Sequence, residues 1–376
     1  MSERILFMNL KQKLKNIDCG TFSTYRGELM GLAIISIMIF HFTSDITRDT
    51  ASALRYSLCS WYNSLISSIG VEVFLFLSGM GLYFSLRNKP DIHAFYRKRL
   101  VRILSPYMLY APIAWIIIDC VISHLSLAWV VYDVTMLSFW FQGRKTIWFI
   151  TLILILYMVF PLIYNLVESR RPTLNTLITF AVIAFILECY HRANPASYDM
   201  TSIALTRIPI FIAGAYFGRK VYEKARLTPP MVILALAGLA LKAVKLYFNH
   251  IGLRNLPASL ATLSQYMSYY SRYLAAWYSL GLILAATVIL ALLPMKRLKK
   301  LLRAAGKLSL ELYIVHITIR RMLVLSPYPV QSLKWYCGVI LLTIPVSLLL
   351  HHVSDRIQQK LLSRSDPGSG CGVCGR

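Results

Sequence analysis

Apolar stretches close to the length needed to cross a bilayer recur along this chain from residue 25 to residue 353. A helix requires about 20 predominantly apolar residues to span the hydrocarbon core. Windows of about that length predict ten spans, and therefore an all-α, polytopic membrane fold. The predicted spans are 25–44, 66–87, 103–123, 147–166, 174–189, 203–218, 229–248, 271–293, 308–326 and 334–353.

Segment 124–146 is also apolar and aromatic, but it is not counted as a span. An eleventh span there would reverse the side of every later loop, so the segment is predicted to be an interfacial or re-entrant helix. The first 24 residues are polar and basic, without the apolar core of a signal peptide. No internal repeat or linker is evident. The predicted organisation is a cytoplasmic N-terminal segment 1–24, one membrane domain 25–353 and a cytoplasmic C-terminal tail 354–376.

Composition and charge support this organisation. Only 15% of the residues are charged and 57% are hydrophobic, whereas about 25% are charged in an ordinary soluble chain. A net charge of +24 would suggest a nucleic-acid partner in a soluble protein, but here the basic residues fall mainly in short segments between the apolar stretches. With the N-terminus inside, predicted inner segments hold 25 Lys and Arg residues and outer segments hold six. The positive-inside rule therefore predicts both termini in the cytoplasm, an inner-membrane location and membrane lipids rather than nucleic acid as partners.

Seven cysteines are scattered along the chain, mostly in or beside apolar segments, and free thiols are expected. Cys371 and Cys374 form a CxxC pattern in a Gly-rich tail. Because a structural zinc site needs a second pair of ligands, no metal site is predicted.

Ionisable side chains within spans are costly, so each calls for a partner or a function. His41, Glu72 and Arg207 come from three different predicted spans and are predicted to lie at similar depth near the outer ends. In a functional interpretation, His41 is a general base, Glu72 orients its ring or pairs with Arg207, and Arg207 compensates developing negative charge. The structural alternative is a buried ion pair plus a hydrogen-bonded core histidine.

Basic residues also cluster at the predicted inner face. Arg26 lies at the start of the first span, and Arg99 and Arg102 lie at the start of the third. Residues three apart share a helix face, and guanidinium groups bind phosphates in a bidentate manner, so Arg99 and Arg102 suit a phosphate ligand. The alternative is a positive-inside anchor that contacts anionic lipid headgroups.

Five segments, taken in order, resemble the successive signatures of the acyltransferase-3 family of integral-membrane O-acyltransferases. The first ends in a histidine, the second contains an acidic residue before an LSG turn, and the third carries the basic cluster. The segments are RGELMGLAIISIMIFHF, GVEVFLFLSGMGLYFSL, FYRKRLVRILSPYML, IWFITLILILYMVFPL and GKLSLELYIVHI.

The resemblance implies an enzyme that transfers an acyl group, usually acetyl from acetyl-CoA, to a hydroxyl of a saccharide or another cell-envelope or small-molecule acceptor. It implies that His41 is the general base, that Glu72 is the family's acidic position and that Arg99 and Arg102 match its basic stretch. It also implies an arginine at the position of Met30. Arg26 lies one turn earlier on the same helix face and is the candidate replacement.

These expectations combine into direct transfer, with donor phosphates on Arg99 and Arg102, assisted by Arg26, and with His41 deprotonating the acceptor. Ser78 of the LSG turn is disfavoured as a nucleophile because no base lies near it in sequence. His316 is predicted to have a structural hydrogen-bonding role. A transporter or flippase is the competing class, since it would also carry intramembrane charges, and a receptor-like scaffold would leave these charges without a task.

Overall fold

The computed structural model of the protein describes residues 17–46, 52–66, 70–252, 255–325 and 333–363. All regular secondary structure in these ranges is helical, which confirms the all-α prediction. The helices are α1 (Cys19–Thr24), α2 (Arg26–Ser44), α3 (Ala53–Ile66), α4 (Gly70–Asn88), α5 (Ile92–Trp115, extended by a π-helix over Ile116–Ile122), α6 (Leu127–Val134), α7 (Leu137–Gln142), α8 (Trp148–Met158), α9 (Phe160–Glu168), α10 (Pro172–Ala193), α11 (Pro195–Leu205), α12 (Ile208–Tyr222), α13 (Pro229–Ile251), α14 (Ala258–Tyr269), α15 (Ser271–Leu292), α16 (Lys296–Lys307), α17 (Ser309–Leu325) and α18 (Leu333–Ser363).

The helices match the predicted membrane spans. In the described ranges, eight helical stretches are long and apolar enough to cross a bilayer, and a ninth results if α8 and α9 form one span. The predicted span 308–326 corresponds to α17, which has 17 residues. Every predicted span therefore overlaps a helix, and the polytopic class is confirmed.

Several segments predicted as connections are helical instead. These are α1, α3, α14 and α16, while segment 124–146 contains two short helices, α6 and α7, separated by the left-handed residue Met136. Helix α18 continues past the predicted start of the tail at residue 354 and ends at Ser363. Arg48 and Arg254, which were predicted to lie in outer loops, fall outside the described residues.

The chain divides into two compact units. The first unit comprises residues up to Asn88 together with Val159–Ser309, and the second comprises Lys89–Met158 together with the residues from Leu310 onward. His41, Glu72, Arg207 and Arg26 belong to the first unit. Arg99 and Arg102 belong to the second.

Small residues allow helices of the first unit to approach at backbone distance. Helix α16 packs along α2, and a Cβ atom at Gly31 would lie 1.8 Å from the carbonyl oxygen of Leu302. Gly27 and Gly306 contribute to the same contact, since a Cβ at Gly306 would lie 2.1 Å from the Gly27 carbonyl oxygen. Close approach through small residues four apart is a common way to pack membrane helices. This contact fixes a strongly basic, amphipathic helix against the helix that carries His41.

The five cysteines in the described ranges are free thiols, as predicted for them. Burial raises the pKa of Cys19, in α1, to about 11, so this thiol is unreactive at neutral pH. Cys371 and Cys374 lie outside the described residues.

The α2–α16 contact gives a first prediction. Gly31→Ala should destabilise the protein by about 1–3 kcal/mol because the new methyl group overlaps the Leu302 backbone. Gly338→Ala in α18 is the matched control, because a Cβ there meets nothing within 4 Å. Unfolding of both variants in detergent measures the difference, and equal stability of the two proteins would contradict the packing.

Candidate active site

Glu72 and Arg207 form a buried ion pair in the first unit. Glu72 lies in the first turn of α4, where the helix dipole favours a carboxylate, and its side chain is 1% exposed. Arg207 lies at the junction of α11 and α12, and its Nε donates to Glu72 Oε1 at 2.9 Å. Of the two roles predicted for Glu72, pairing with Arg207 is the one that these contacts provide.

Backbone contact between α4 and α12 brings the two charges together. A Cβ at Gly214 would lie 2.0 Å from the Phe76 carbonyl oxygen, and a Cβ at Gly79 would lie 2.2 Å from the Phe211 carbonyl oxygen. The glycine of the LSG turn is therefore a helix-packing residue. Ser78, beside it, is buried in the interior of α4.

Arg207 makes a second contact within the protein. Its Nη1 donates to the carbonyl oxygen of Ile203 at 2.5 Å, in the last turn of α11. Carbonyls in the last turn of a helix have no partner further along it, so the guanidinium caps α11 as well as neutralising Glu72. Its Nε and its Nη1 both take part in these contacts. A negatively charged group of the substrate would therefore have to compete for Arg207 with Glu72 and with the Ile203 carbonyl.

His41 lies in the last turn of α2 and is half-buried. Ala33, Ile37 and His41 are spaced by four residues and share one helix face. Gly70, at the start of α4, packs on that face, because a Cβ there would lie 2.2 Å from Ile37 Cγ1 and 3.4 Å from the Ala33 carbonyl oxygen. His41 therefore continues the face of α2 that is turned towards α4.

The register of α2 and α4 separates His41 from Glu72 along the helix axes. Gly70 lies level with the stretch between Ala33 and Ile37, and the helices run antiparallel. At about 1.5 Å per residue, the backbones of His41 and Glu72 are therefore about 12 Å apart along the helix axes. The sequence predicted similar depth, whereas α2 extends well beyond the start of α4. Glu72 Oε2 has no hydrogen-bond partner among the described residues.

Helix α3 covers the end of α2 next to His41. The Thr43 hydroxyl forms a hydrogen bond with the Asn63 side-chain oxygen, and Asn63 Nδ2 donates to Ser44 Oγ at 3.4 Å. These contacts hold a segment predicted as a loop against the last turn of α2. The last turn of α2, which carries His41, is therefore held by contacts with α3.

The opposite end of α2 holds Arg26 and the buried Glu28. The Arg26 guanidinium lies against α4, since a Cβ at Gly81 would be 2.6 Å from Nη2. Glu28 is 1% exposed and accepts a hydrogen bond from Arg303 of α16. Arg26 thus lies in the first unit beside a basic helix, at the end of α2 opposite His41.

Arg99 and Arg102 lie on α5 in the second unit. Arg99 is half-buried, with its guanidinium carbon 5.9 Å from the centre of the Phe95 ring, and Arg102 is exposed. Within the described ranges neither forms an ion pair with a carboxylate. Both guanidinium groups therefore retain the charge needed to bind a phosphate, and the lipid-anchor alternative fits the same geometry.

His316 is fully buried in α17 of the second unit. Its Nε2 lies 3.1 Å from the hydroxyl of Tyr336 in α18, so the ring links two helices. In the same unit, His351 Nδ1 lies 2.9 Å from Glu311 Oε1. These contacts agree with the predicted structural hydrogen-bonding role of His316.

Sequence reasoning missed a second charged cluster, in the second unit. Arg144 donates to Asp119 at 2.9 Å and also contacts Asp133, and its guanidinium lies 4.5 Å from the centre of the Trp129 ring. Asp119 sits in the π-helix that extends α5. Burial raises the pKa of Asp133 to about 6. Asp119 was detectable as a lone carboxylate in a predicted span, but its partners lie in the segment predicted as interfacial.

A buried lysine in the first unit was also missed. Lys242 lies within the predicted span 229–248, in α13, and is 8% exposed. The sequence contained the signal, because a lysine inside an apolar span is as costly as His41 or Glu72 and equally needs a partner or a function.

Comparison with known proteins gives one match. Residues 29–352 match the acyltransferase-3 family model, which is described as an acyltransferase domain. No curated protein matches the chain. No solved structure matches it either.

Proposed function

The chain belongs to the acyltransferase-3 family and is a membrane acyltransferase, and from this we propose that it transfers an acetyl or similar acyl group from acyl-CoA to a hydroxyl of a saccharide or other cell-envelope acceptor. The observation that carries the proposal is the family match over residues 29–352, which includes His41, Glu72, Arg99, Arg102 and Arg207. The positive-inside distribution of charge supports an inner-membrane location with both termini in the cytoplasm.

His41 is the proposed general base. Its imidazole removes the proton of the acceptor hydroxyl as the oxygen attacks the thioester carbonyl carbon, which gives a tetrahedral intermediate with a negatively charged oxygen. The intermediate collapses to the new ester and expels the CoA thiolate, which takes the proton from the imidazolium. No covalent enzyme intermediate is needed, in keeping with the packing position of Ser78.

The basic residues of α5 are the proposed donor-phosphate ligands. Arg99 and Arg102 share a helix face and form no carboxylate ion pair in the described ranges, so their charge is available to an anion. Arg26 remains proposed as an additional donor contact, because its guanidinium lies against α4 at the end of α2 on which basic α16 packs.

The direct test is acyl transfer by the purified protein. The protein in detergent or nanodiscs is incubated with labelled acetyl-CoA and a panel of glycans, and products are analysed by mass spectrometry for one added acetyl group per acceptor. Label in an acceptor, dependent on the protein, supports the proposal. Movement of an acceptor across a vesicle membrane without acylation would favour the transporter class instead.

Donor binding gives a second prediction. Arg99→Ala and Arg102→Ala should each weaken acetyl-CoA binding about tenfold, because each removes a charge-assisted contact to phosphate. The loss should be largest at low salt, where the charges are screened least. Titration calorimetry at two salt concentrations measures it. Lys89→Ala, which removes an exposed charge just before α5, is the control, and equal losses for all three variants would indicate non-specific attraction.

A further inference from the structure

Lys242 is a buried cation in the part of the first unit that holds the Glu72–Arg207 pair. It is 8% exposed, and in the described ranges it forms neither a salt bridge nor a hydrogen bond through its side chain. Its Nζ lies 5.5 Å from the centre of the Tyr278 ring. A charged group inside a membrane bundle is costly and is usually paired, so an ammonium group held mainly by an aromatic ring requires an explanation.

Close helix packing fixes the position of Lys242. Helix α13 contacts α15 at backbone distance, because a Cβ at Gly281 would lie 2.4 Å from the Ala235 carbonyl oxygen and a Cβ at Gly238 would lie 2.6 Å from the Trp277 carbonyl oxygen. Lys242 is one turn beyond Gly238 on the same face. The lysine is therefore held opposite Tyr278 by two rigid helices.

The charges around Lys242 do not balance. Its ammonium group interacts electrostatically with the Glu72 carboxylate, but Glu72 is already paired with Arg207 at 2.9 Å. Lys245, one turn away and half-buried, adds a further positive charge. Among the described residues, the Glu72 carboxylate thus faces two cations, Arg207 and Lys242, and the third positive charge lies next to Lys242. A buried excess of positive charge is unfavourable unless an anion from outside the protein offsets it.

Polar atoms nearby also lack partners. Among the described residues, the hydroxyl of Tyr278 and Oε2 of Glu72 are buried without a hydrogen-bond partner. Buried polar groups are normally satisfied, and groups that are not often mark functional positions. The excess charge and the unsatisfied atoms both point to a ligand.

We propose that Lys242 binds the anionic oxygen that forms on the acyl carbonyl during transfer. The inference rests on the proposed acyltransferase reaction and assigns to Lys242 the charge-compensating role that the sequence predicted for Arg207. As the acceptor oxygen attacks, the carbonyl π electrons move to oxygen, and the ammonium stabilises that charge without transferring a proton. When the intermediate collapses, the electron pair on the oxygen re-forms the C=O bond, and the negative charge leaves on the thiolate sulfur. The Arg207–Glu72 ion pair then has a structural role, because it joins α4 to the junction of α11 and α12.

The test compares three lysine variants in the wild-type transfer assay. Lys242→Met keeps most of the length of the side chain but removes the charge, and kcat should fall about 100-fold with little change in KM for acetyl-CoA. Lys242→Arg should recover a large part of the loss because it restores the charge. Lys245→Met removes a neighbouring buried charge, and its kcat should stay within about threefold of the wild-type value.

Thermal unfolding separates this role from a structural one. If Lys242 stabilises the fold as a partner of Glu72, Lys242→Met should unfold at lower temperature. If it serves an external anion, the variant should be at least as stable as the wild type, because a buried excess charge is gone. A stable Lys242→Met protein with wild-type kcat would overturn the inference, as would equal kinetic losses in Lys245→Met.

Failure of the Lys242 inference can be distinguished from failure of the proposed acyltransferase reaction. Absence of transfer by the wild-type protein would count against the acyltransferase substrates themselves. Transfer by the wild type together with unchanged transfer by Lys242→Met would count against Lys242 alone. A rise in KM for acidic acceptors only, at constant kcat, would overturn the oxyanion role and would indicate that Lys242 binds an anionic group of the acceptor instead.

Discussion

Replacement of His41 by alanine should lower kcat for acyl transfer by about 10³-fold, the range that a positioned general base contributes. The hydroxyl of an alcohol is a poor nucleophile until its proton is removed, and His41 is the residue of α2 that the family resemblance identifies with this task. Acetyl-CoA affinity should survive, because the proposed phosphate ligands are on α5. Steady-state kinetics and donor titration on the same preparation measure the two quantities separately.

The matched control for His41 is His250→Ala. His250 is exposed in the last turn of α13, in the same unit, so its loss removes an imidazole without altering a packed helix face. Its kinetic constants should match those of the wild type. Wild-type turnover by the His41→Ala protein would remove the base assignment, and loss of donor binding in that protein would indicate that His41 shapes the fold instead.

The pairing of Glu72 with Arg207 was predictable because a charged side chain inside the membrane is unfavourable unless it pairs with an opposite charge. A carboxylate and a guanidinium in separate apolar windows each cost several kcal/mol unless they meet. Their contact at 2.9 Å fulfils that expectation. The role of Arg207 as the cap of Ile203 was not predictable, because it depends on α11 ending two residues before the arginine.

The relative depth of His41 and Glu72 could not be read from the sequence. Depth was estimated from the ends of predicted spans, which assumes that neighbouring helices begin and end at the same level. The true register depends on which side chains fit together, and here Gly70 packs between Ala33 and Ile37. This packing of Gly70 on α2 places Glu72 several residues further from the level of His41 than the ends of the predicted spans indicated.

Averaged hydropathy also concealed two features. Lys242 lies in a helix whose other residues are so apolar that one charge hardly changes the mean. Averaged hydropathy missed α16 for the opposite reason, because the six basic residues lower its mean. The low mean hides the apolar face formed by Leu302 and Gly306, which are four apart and buried against α2. Periodicity rather than mean hydropathy is the measure that detects a helix of this kind.

Breaking the Glu72–Arg207 pair should produce the largest loss of stability among substitutions in the first unit. Glu72→Gln leaves the Arg207 guanidinium part-buried without its counter-charge and should lower the free energy of unfolding by about 3–5 kcal/mol. Arg207→Met leaves a carboxylate that is 1% exposed without the guanidinium that donates a hydrogen bond to it, and a loss of similar size is expected. Unfolding in a mixed-detergent titration measures both variants against the wild type.

The double variant decides whether the loss reflects unpaired charge. Glu72→Met combined with Arg207→Met replaces the ion pair by two flexible apolar side chains. Replacement of both charges of a buried pair is often close to neutral, so the double variant should recover most of the stability lost in each single variant. Recovery should stop short of the wild type because the Ile203 carbonyl loses its donor. Arg87→Met is the matched control, since Arg87 pairs with Glu168 at 3.3 Å with a much more exposed side chain, and its stability should stay near the wild-type value. Losses that simply add in the double variant would show that the two charges are not coupled.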